Sequence, residues 1–177
     1  MATGYNGVFG AFPYAFRRSR SLLFKSYVVL SAFAVALVAL FVVIAIVVLL
    51  GRTAAVQGGS LTLSRAFFIV IGLLVVLPAV APTLAVARRY RRDIESTPRY
   101  EVALAVAGYL FLFSLYLGAV ASMPETFVLD GETVTRPPPS GLFAPVVALL
   151  YAIPQALSWI VPLCGALLVA AAHRLFG

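Results

Sequence analysis

The side chains that could act as nucleophiles, bases or metal ligands are few in this sequence. The chain has one histidine, His173, and one cysteine, Cys164, and both lie in or beside an apolar run, far from any cluster of carboxylates. A zinc site needs several such ligands together, and a cysteine or serine nucleophile needs a base within reach. No phosphate-binding loop or dinucleotide fingerprint is present. The sequence therefore predicts a protein that is not an enzyme and that binds no metal and no cofactor.

One polar stripe lies within the apolar part of the chain, at Tyr151, Gln155 and Ser158. On a continuous helix the spacings of four and three would place these side chains on one face. Gln155 is the only Gln, Asn or charged residue inside the four long apolar runs. One interpretation is a polar contact from Gln155 to another helix, for instance near Tyr109 or Tyr116. The other is a site for a small neutral solute or a lipid.

Two arginine clusters directly adjoin apolar runs, and we expect them to contact anionic lipid headgroups. Tyr90 lies within the second cluster, a pattern that could resemble nucleic-acid binding. Basic residues beside a membrane span first serve orientation and lipid contact, so no nucleic-acid partner is predicted. The clustered residues are Arg17, Arg18, Arg20, Arg88, Arg89, Arg91 and Arg92.

The composition is that of an integral membrane protein. Of the 177 residues, 63% are hydrophobic and 11% are charged, and the mean hydropathy is +1.06. Four runs without any Asp, Glu, Lys or Arg are each long enough to span a bilayer as a helix. They cover residues 26–50, 66–87, 102–122 and 142–172. The sequence predicts an all-α, four-transmembrane-helix bundle that forms a single membrane domain over residues 1–177.

The distribution of basic residues predicts the orientation of this bundle. Ten of the 13 Lys and Arg residues fall in the N-terminal segment, the connection between the second and third runs, and the C-terminal tail. Three fall in the other connections, at Arg52, Arg65 and Arg136. Because positive residues near span ends stay on the cytoplasmic side, we expect a multi-pass protein of the cell membrane with both termini in the cytoplasm.

The segment before the first span, residues 1–25, is expected to lie at the cytoplasmic interface of the membrane. Phe9, Phe12 and Phe16, with Tyr5 one turn earlier, would share one face of a helix there. Between the second and third spans, the second helix is expected to continue through ARRYRRDIES. Thr97 is then positioned to cap the third helix.

The predicted external segment, residues 123–141, contains the signature of a β-hairpin. Asp130 and Gly131 separate two short β-prone runs, and a two-residue turn there would place Phe127 opposite Val134. In the fourth run, Pro145, Pro154 and Pro162 favour a tilted or broken helix. Trp159 supports some irregularity, because it falls near the middle of this run whereas tryptophan usually lies at an interface.

The N-terminal sequence GVFGAFPYAFRRSRSLLFKSYVV, residues 7–29, resembles the start of small integral membrane proteins of haloarchaea. The use of 12 Arg against one Lys, with abundant Ala and Val, is similar to proteins encoded by the GC-rich genomes of that group. The resemblance implies a cell-membrane location in an archaeon, and it implies no activity and no functional residue.

These observations favour a protein that works by contact, as an accessory, assembly or scaffold subunit of a membrane complex. The alternative is an oligomeric channel or transporter component for a small neutral solute or lipid, lined by the stripe at Gln155. In both cases the expected partners are membrane lipids and either another protein or further copies of the chain within the membrane.

Overall fold

The computed structural model of the protein describes residues 7–53, 60–129 and 131–177. Its described part is mainly helical and carries one two-stranded antiparallel sheet. In chain order the elements are α1 (Gly7–Arg18), α2 (Leu22–Thr53), α3 (Ser60–Arg91), α4 (Pro98–Ala121), β1 (Thr126–Leu129), β2 (Glu132–Thr135), α5 (Ala144–Tyr151) and α6 (Ile160–Phe176), with one 3₁₀ turn at Gln155–Leu157 before α6.

Four helical segments of the described chain are long and apolar enough to cross a membrane. Their outward surfaces carry large exposed apolar side chains, such as Phe41, Leu74 and Leu167, which suits helices surrounded by hydrocarbon. The prediction of four long apolar helices is therefore confirmed. The segments are Leu22–Leu49, Ile69–Arg91, Pro98–Ala121 and Gln155–Phe176.

The centre of the bundle is α4, which packs along α6 and also contacts α2, α3 and α5. Two glycines make the contact between α4 and α6 close. A Cβ atom at Gly118 would lie 2.9 Å from Pro162 Cδ, and one at Gly165 would overlap the Ser114 side chain. Small residues bring helix backbones together in this way in membrane proteins, where dispersion contacts drive helix association.

The N-terminal segment forms α1, which packs against α3 and α2. Ala11 and Ala15 are fully buried in this contact. Phe9, Phe12 and Phe16 lie within α1 at helical spacing, but they are not equally exposed: Phe12 packs against the core, whereas Phe9 is 91% exposed. The small alanines permit the closest approach, so they, and not the phenylalanines, determine which face is buried. Tyr5 lies outside the described residues, and the interfacial location of α1 stays a prediction.

The predicted β-hairpin is present. Strands β1 and β2 pair antiparallel with Phe127 opposite Val134, and the last pair joins Leu129 to Glu132. Gly131 has φ of 90°, a left-handed conformation that glycine adopts without steric cost. Asp130, the other residue of the predicted turn, lies outside the described residues.

The fourth apolar run is broken, as its prolines indicated. α5 has eight residues and ends at Tyr151, so it is too short to span a bilayer. Pro154 lies in the break, and the candidate span begins at Gln155 and continues through α6. This differs from one span over residues 142–172. Trp159 becomes the residue before α6 and is 57% exposed, so it lies at the start of a span and not at the middle of one.

Candidate functional site at the basic end of the bundle

Five helix ends meet at one end of the bundle: the end of α1, the start of α2, the end of α3, the start of α4 and the end of α6. Hydrogen bonds from Ser19 and Tyr90 to Glu101, and between Tyr100 and His173, connect these segments. Because most of the arginines are here, we call it the basic end. The opposite end, which carries the β-hairpin, is called the hairpin end.

Local signals in the sequence determine where these helices begin. Ser21 Oγ accepts a 3.2 Å hydrogen bond from the Phe24 amide at the start of α2. Thr97 Oγ1 accepts one of 3.3 Å from the Tyr100 amide at the start of α4, with Pro98 in the first turn. Each side chain satisfies an amide that has no partner within its own helix. The predicted Thr97 cap is confirmed.

The end of α3 differs from the expectation that the helix continues through ARRYRRDIES. The helix ends at Arg91, and Asp93 has φ of 53°. The amide of Asp93 donates to the Tyr90 carbonyl at 3.3 Å, and that of Ile94 donates to the Arg89 carbonyl at 3.1 Å. This is a Schellman termination, in which an aspartate adopts the left-handed position usually taken by glycine. The turn directs the chain back towards α4.

Glu101 is the most deeply buried acidic group described at this end, with 1% of its surface exposed. Ser19 Oγ donates to its Oε2 at 2.6 Å, and the Tyr90 hydroxyl donates to its Oε1 at 2.5 Å. Glu101 also lies in the first turn of α4, where the helix dipole favours a negative charge. These two hydroxyl donors and the dipole offset part of the cost of removing a carboxylate from water.

A second polar contact lies beside Glu101 and joins α4 to α6. The Tyr100 hydroxyl lies 2.7 Å from His173 Nδ1, and the Arg89 guanidinium lies over the Tyr100 ring at 4.5 Å. Arg89 Nε is buried and has no hydrogen-bond partner among the described residues.

Tyr27 connects α2 to the proline-containing segment of α3. Its hydroxyl donates a 2.6 Å hydrogen bond to the Ala79 carbonyl, between Pro78 and Pro82. Its ring occupies the space beside Gly108 of α4, where a Cβ atom would overlap it. Proline removes helix hydrogen bonds and thereby exposes carbonyl groups, and Tyr27 satisfies one carbonyl in that segment. This contact fixes α2 to the proline-containing segment of α3.

A cavity of about 780 Å³ opens between α3 and α6 at the basic end. Its walls are apolar over most of their length and include Leu77, Ala81 and Leu84 on α3 and Ala166 and Ala170 on α6. Its floor includes Leu104 of α4. At its mouth lie Arg88, Arg89, Arg92 and His173. We call this cavity the α3–α6 groove.

The residues predicted to contact anionic lipids belong to segments that meet at the basic end. Only some of them line the α3–α6 groove: Arg88, Arg89 and Arg92 do, whereas Arg18 lies over the Tyr14 ring of α1, 5.8 Å from its centroid. Arg17, Arg20 and Arg91 are exposed. The structure thus separates a three-arginine group at a cavity from the remaining basic surface.

The predicted polar stripe does not form one helix face, because the break in the fourth run separates its members. Tyr151 ends α5, Gln155 begins the 3₁₀ turn, and Ser158 follows that turn. Ser158 Oγ donates to the Gln155 carbonyl at 2.8 Å, and the backbone near Ser158 packs beside Gly118, close to the end of α4. The three residues therefore lie near the hairpin end.

Glu101, Tyr90 and Tyr27 were not predicted as functional or structural centres. Glu101 begins a stripe of buried residues on α4 that continues through Leu104 and Gly108, at helical spacing. Apolar residues surround α4 on all sides, so the sequence does not indicate which face is buried.

The sequence as a whole was compared with known proteins. Its full length, residues 1–177, matches a family model described as "Domain of unknown function (DUF8056)". No curated protein and no solved structure matches the chain significantly. With the match extending from the first residue to the last, the chain belongs to the DUF8056 family.

Proposed function

We propose that this protein is a non-enzymatic subunit of a membrane complex, which acts as an accessory, assembly or scaffold component through contacts at its hairpin end. The observation that carries the proposal is a hairpin fixed at its base whose apolar tip is exposed. Val128 is 70% exposed and Leu129 is 57% exposed.

Arg136 fixes the base of the hairpin. Its amide donates to the Glu125 carbonyl at 2.9 Å, and its side chain donates to the Met123 carbonyl at 3.3 Å. The same guanidinium lies 4.0 Å from the centre of the Tyr151 ring, so it connects the hairpin to α5. An isolated two-stranded hairpin is marginally stable in water, and these contacts present it in one orientation.

The tip of the hairpin has the features of a contact surface. Leu142 and Phe143, before α5, are 88% and 69% exposed and add to the apolar surface at this end. Each strand of a two-stranded sheet also has a free edge, which can pair with a strand of another chain. Another protein or a second copy of this chain would cover both features.

The membrane context of this proposal follows from the four apolar helices. We propose that the protein crosses the cell membrane four times, with the basic end in the cytoplasm and the hairpin end outside. The arginines of the basic end support this orientation, because positive residues beside spans are retained on the cytoplasmic side.

Native mass spectrometry of the protein, extracted in mild detergent from its own membranes, tests the contact function. We expect a particle that contains this chain with a second protein or with further copies, and Leu129→Lys should dissociate it. Thr126→Lys is the matched control, since it adds the same charge near the base of the same strand. A monomeric wild-type particle, or equal loss in both variants, would contradict the proposal.

A second proposal retains Gln155 as part of a path for a neutral solute in an oligomer. It is favoured by the exposure of Gln155, whose side chain makes no hydrogen bond to the described residues. Flux of small neutral solutes into liposomes should then occur with the wild type and disappear in Gln155→Leu, with assembly unchanged. Absence of flux in the wild type would exclude this function.

A further inference from the structure

The α3–α6 groove has the shape and chemistry of a lipid-binding site. α3 and α6 contact each other over a short distance only, whereas both pack against α4, so a gap remains between them with Leu104 at its floor. The gap is open towards the surroundings of the bundle. In a bilayer that opening would face the lipid and not the aqueous phase.

The apolar part of the groove fits one hydrocarbon chain. Both walls carry small side chains, so space remains between the two helices. These side chains are Ala81 and Ala85 on α3 and Ala166 and Ala170 on α6. The groove runs along α3 from Leu77 to Arg88, a length of about 16 Å at ~1.5 Å per residue. That length is about half of the ~30 Å hydrocarbon thickness of a bilayer, or one leaflet.

The mouth of the groove fits a phosphate. Arg88 and Arg92 are exposed and lie one helical turn apart, and the half-buried Arg89, which lies over the Tyr100 ring, lines the same groove. Guanidinium groups bind phosphate through charge-assisted, often bidentate hydrogen bonds. The described residues that line the groove include three arginines and no acidic residue, so its charge is complementary to an anion.

The geometry points to a binding site for one anionic phospholipid in the α3–α6 groove, with its phosphate at Arg88, Arg89 and Arg92 and one hydrocarbon chain against Ala81, Ala166 and Ala170. A chain-bearing phosphate satisfies both parts of the site at once. Free phosphate would leave the apolar walls uncovered, and a lipid without a phosphate would leave the arginines unpaired. The cation of a zwitterionic phospholipid would be repelled by the same arginines. This site lies at the end opposite the proposed partner contact and does not depend on it.

Native mass spectrometry of the purified full chain, titrated with phosphatidylglycerol in detergent, tests the site. We expect one lipid to be retained, and phosphatidylcholine with the same chains to bind at least about tenfold more weakly, because its choline cation offsets the phosphate charge and is repelled by the three arginines. Equal retention of the two lipids would overturn the assignment. So would displacement of phosphatidylglycerol by inorganic phosphate at equal concentration, which would indicate a simple anion site.

Variants separate this groove from the rest of the basic surface. Arg88→Gln with Arg92→Gln should weaken phosphatidylglycerol binding about tenfold or more, whereas Arg99→Gln with Arg174→Gln removes the same charge from exposed positions at the basic end outside the groove and should leave binding nearly unchanged. Equal weakening by both pairs would show general electrostatic attraction and overturn the proposal.

A separate variant tests the apolar wall of the α3–α6 groove. Ala170→Leu fills the groove without a change in charge and should also weaken binding, since Ala170 is exposed and its enlargement leaves the helix contacts in place. Unchanged binding in this variant would show that the lipid chain lies elsewhere. Gel filtration and thermal unfolding verify that each variant is folded.

Discussion

The Ser19 hydroxyl donates a 2.6 Å hydrogen bond to the Glu101 carboxylate, and this contact joins residues 82 positions apart in the chain. Glu101 also accepts from the Tyr90 hydroxyl at the end of α3. One buried carboxylate thus connects the N-terminal segment, α3 and α4. Because both donors are neutral hydroxyl groups, the contact depends on geometry more than on pairing of opposite charges.

Replacement of Glu101 should destabilise the bundle in proportion to the hydrogen bonds lost. Glu101→Ala leaves two hydroxyl groups unsatisfied and a cavity, and should lower the free energy of unfolding by about 2–4 kcal/mol. Glu101→Gln retains an acceptor and a similar shape and should cost about 1 kcal/mol. Unfolding in mixed micelles, followed by circular dichroism, measures both values. Equal effects of the two variants would show that the hydrogen bonds are not what stabilises this contact.

Much of the fold could be predicted from the sequence because it rests on local or compositional signals. Run length predicted the four apolar helices, Thr97 predicted the start of α4, and the prolines of the fourth run favoured a tilted or broken helix. The hairpin register followed from turn chemistry alone. Each of these features depends on residues that are neighbours in the chain.

The candidate site could be predicted only in part, because its contacts connect distant segments. The arginines were identified by their position beside apolar runs, but the cavity between α3 and α6 exists only because both helices pack on α4. The contacts of Glu101 had no signal in the sequence, because Ser19 and Tyr90 lie on other segments. The periodicity of apolar residues did not indicate which helix faces are buried, since lipid and protein interior both favour apolar side chains.

Tyr27→Phe should destabilise the protein by about 1 kcal/mol, because it leaves the Ala79 carbonyl without the 2.6 Å hydrogen bond while the ring packing remains. Tyr116→Phe is the control, since Tyr116 is 65% exposed and its stacking on Phe113 does not need the hydroxyl. Unfolding in micelles compares the two variants. A wild-type value for Tyr27→Phe would mean that the proline-containing segment of α3 needs no support from α2.

Gly108→Ala should cost about 1–3 kcal/mol, because the new methyl group overlaps the buried Tyr27 ring and one of the two must move. Gly51→Ala is the matched change on α2, where a Cβ atom meets nothing within 4 Å. It should be neutral or stabilising by up to about 1 kcal/mol, the usual difference between glycine and alanine in a helix. Destabilisation by both variants to the same extent would contradict the close α2–α4 contact.

Arg136→Gln should release the base of the hairpin from α5, since it removes the cation over the Tyr151 ring and the side-chain hydrogen bond to Met123. Hydrogen exchange of the amides in β1 and β2 should become faster in this variant, because the paired strands alone are marginally stable. Arg99→Gln, an exposed change at the basic end, should leave that exchange unchanged. Identical exchange in Arg136→Gln and the wild type would place the support of the hairpin elsewhere.

The proposed orientation predicts which residues a membrane-impermeant thiol reagent can reach in intact cells. The native Cys164 is exposed on the bundle surface within α6, so Cys164→Ala removes the background. In that chain, Thr133→Cys on the hairpin should be labelled in intact cells, whereas Glu95→Cys, in the turn between α3 and α4, should be labelled only after lysis. Both positions are exposed, so a difference in labelling reports the side of the membrane and not burial. The reverse pattern would place the arginine clusters outside the cell, against the retention of positive charge on the cytoplasmic side. Labelling of both variants in intact cells would contradict a bilayer between the two ends.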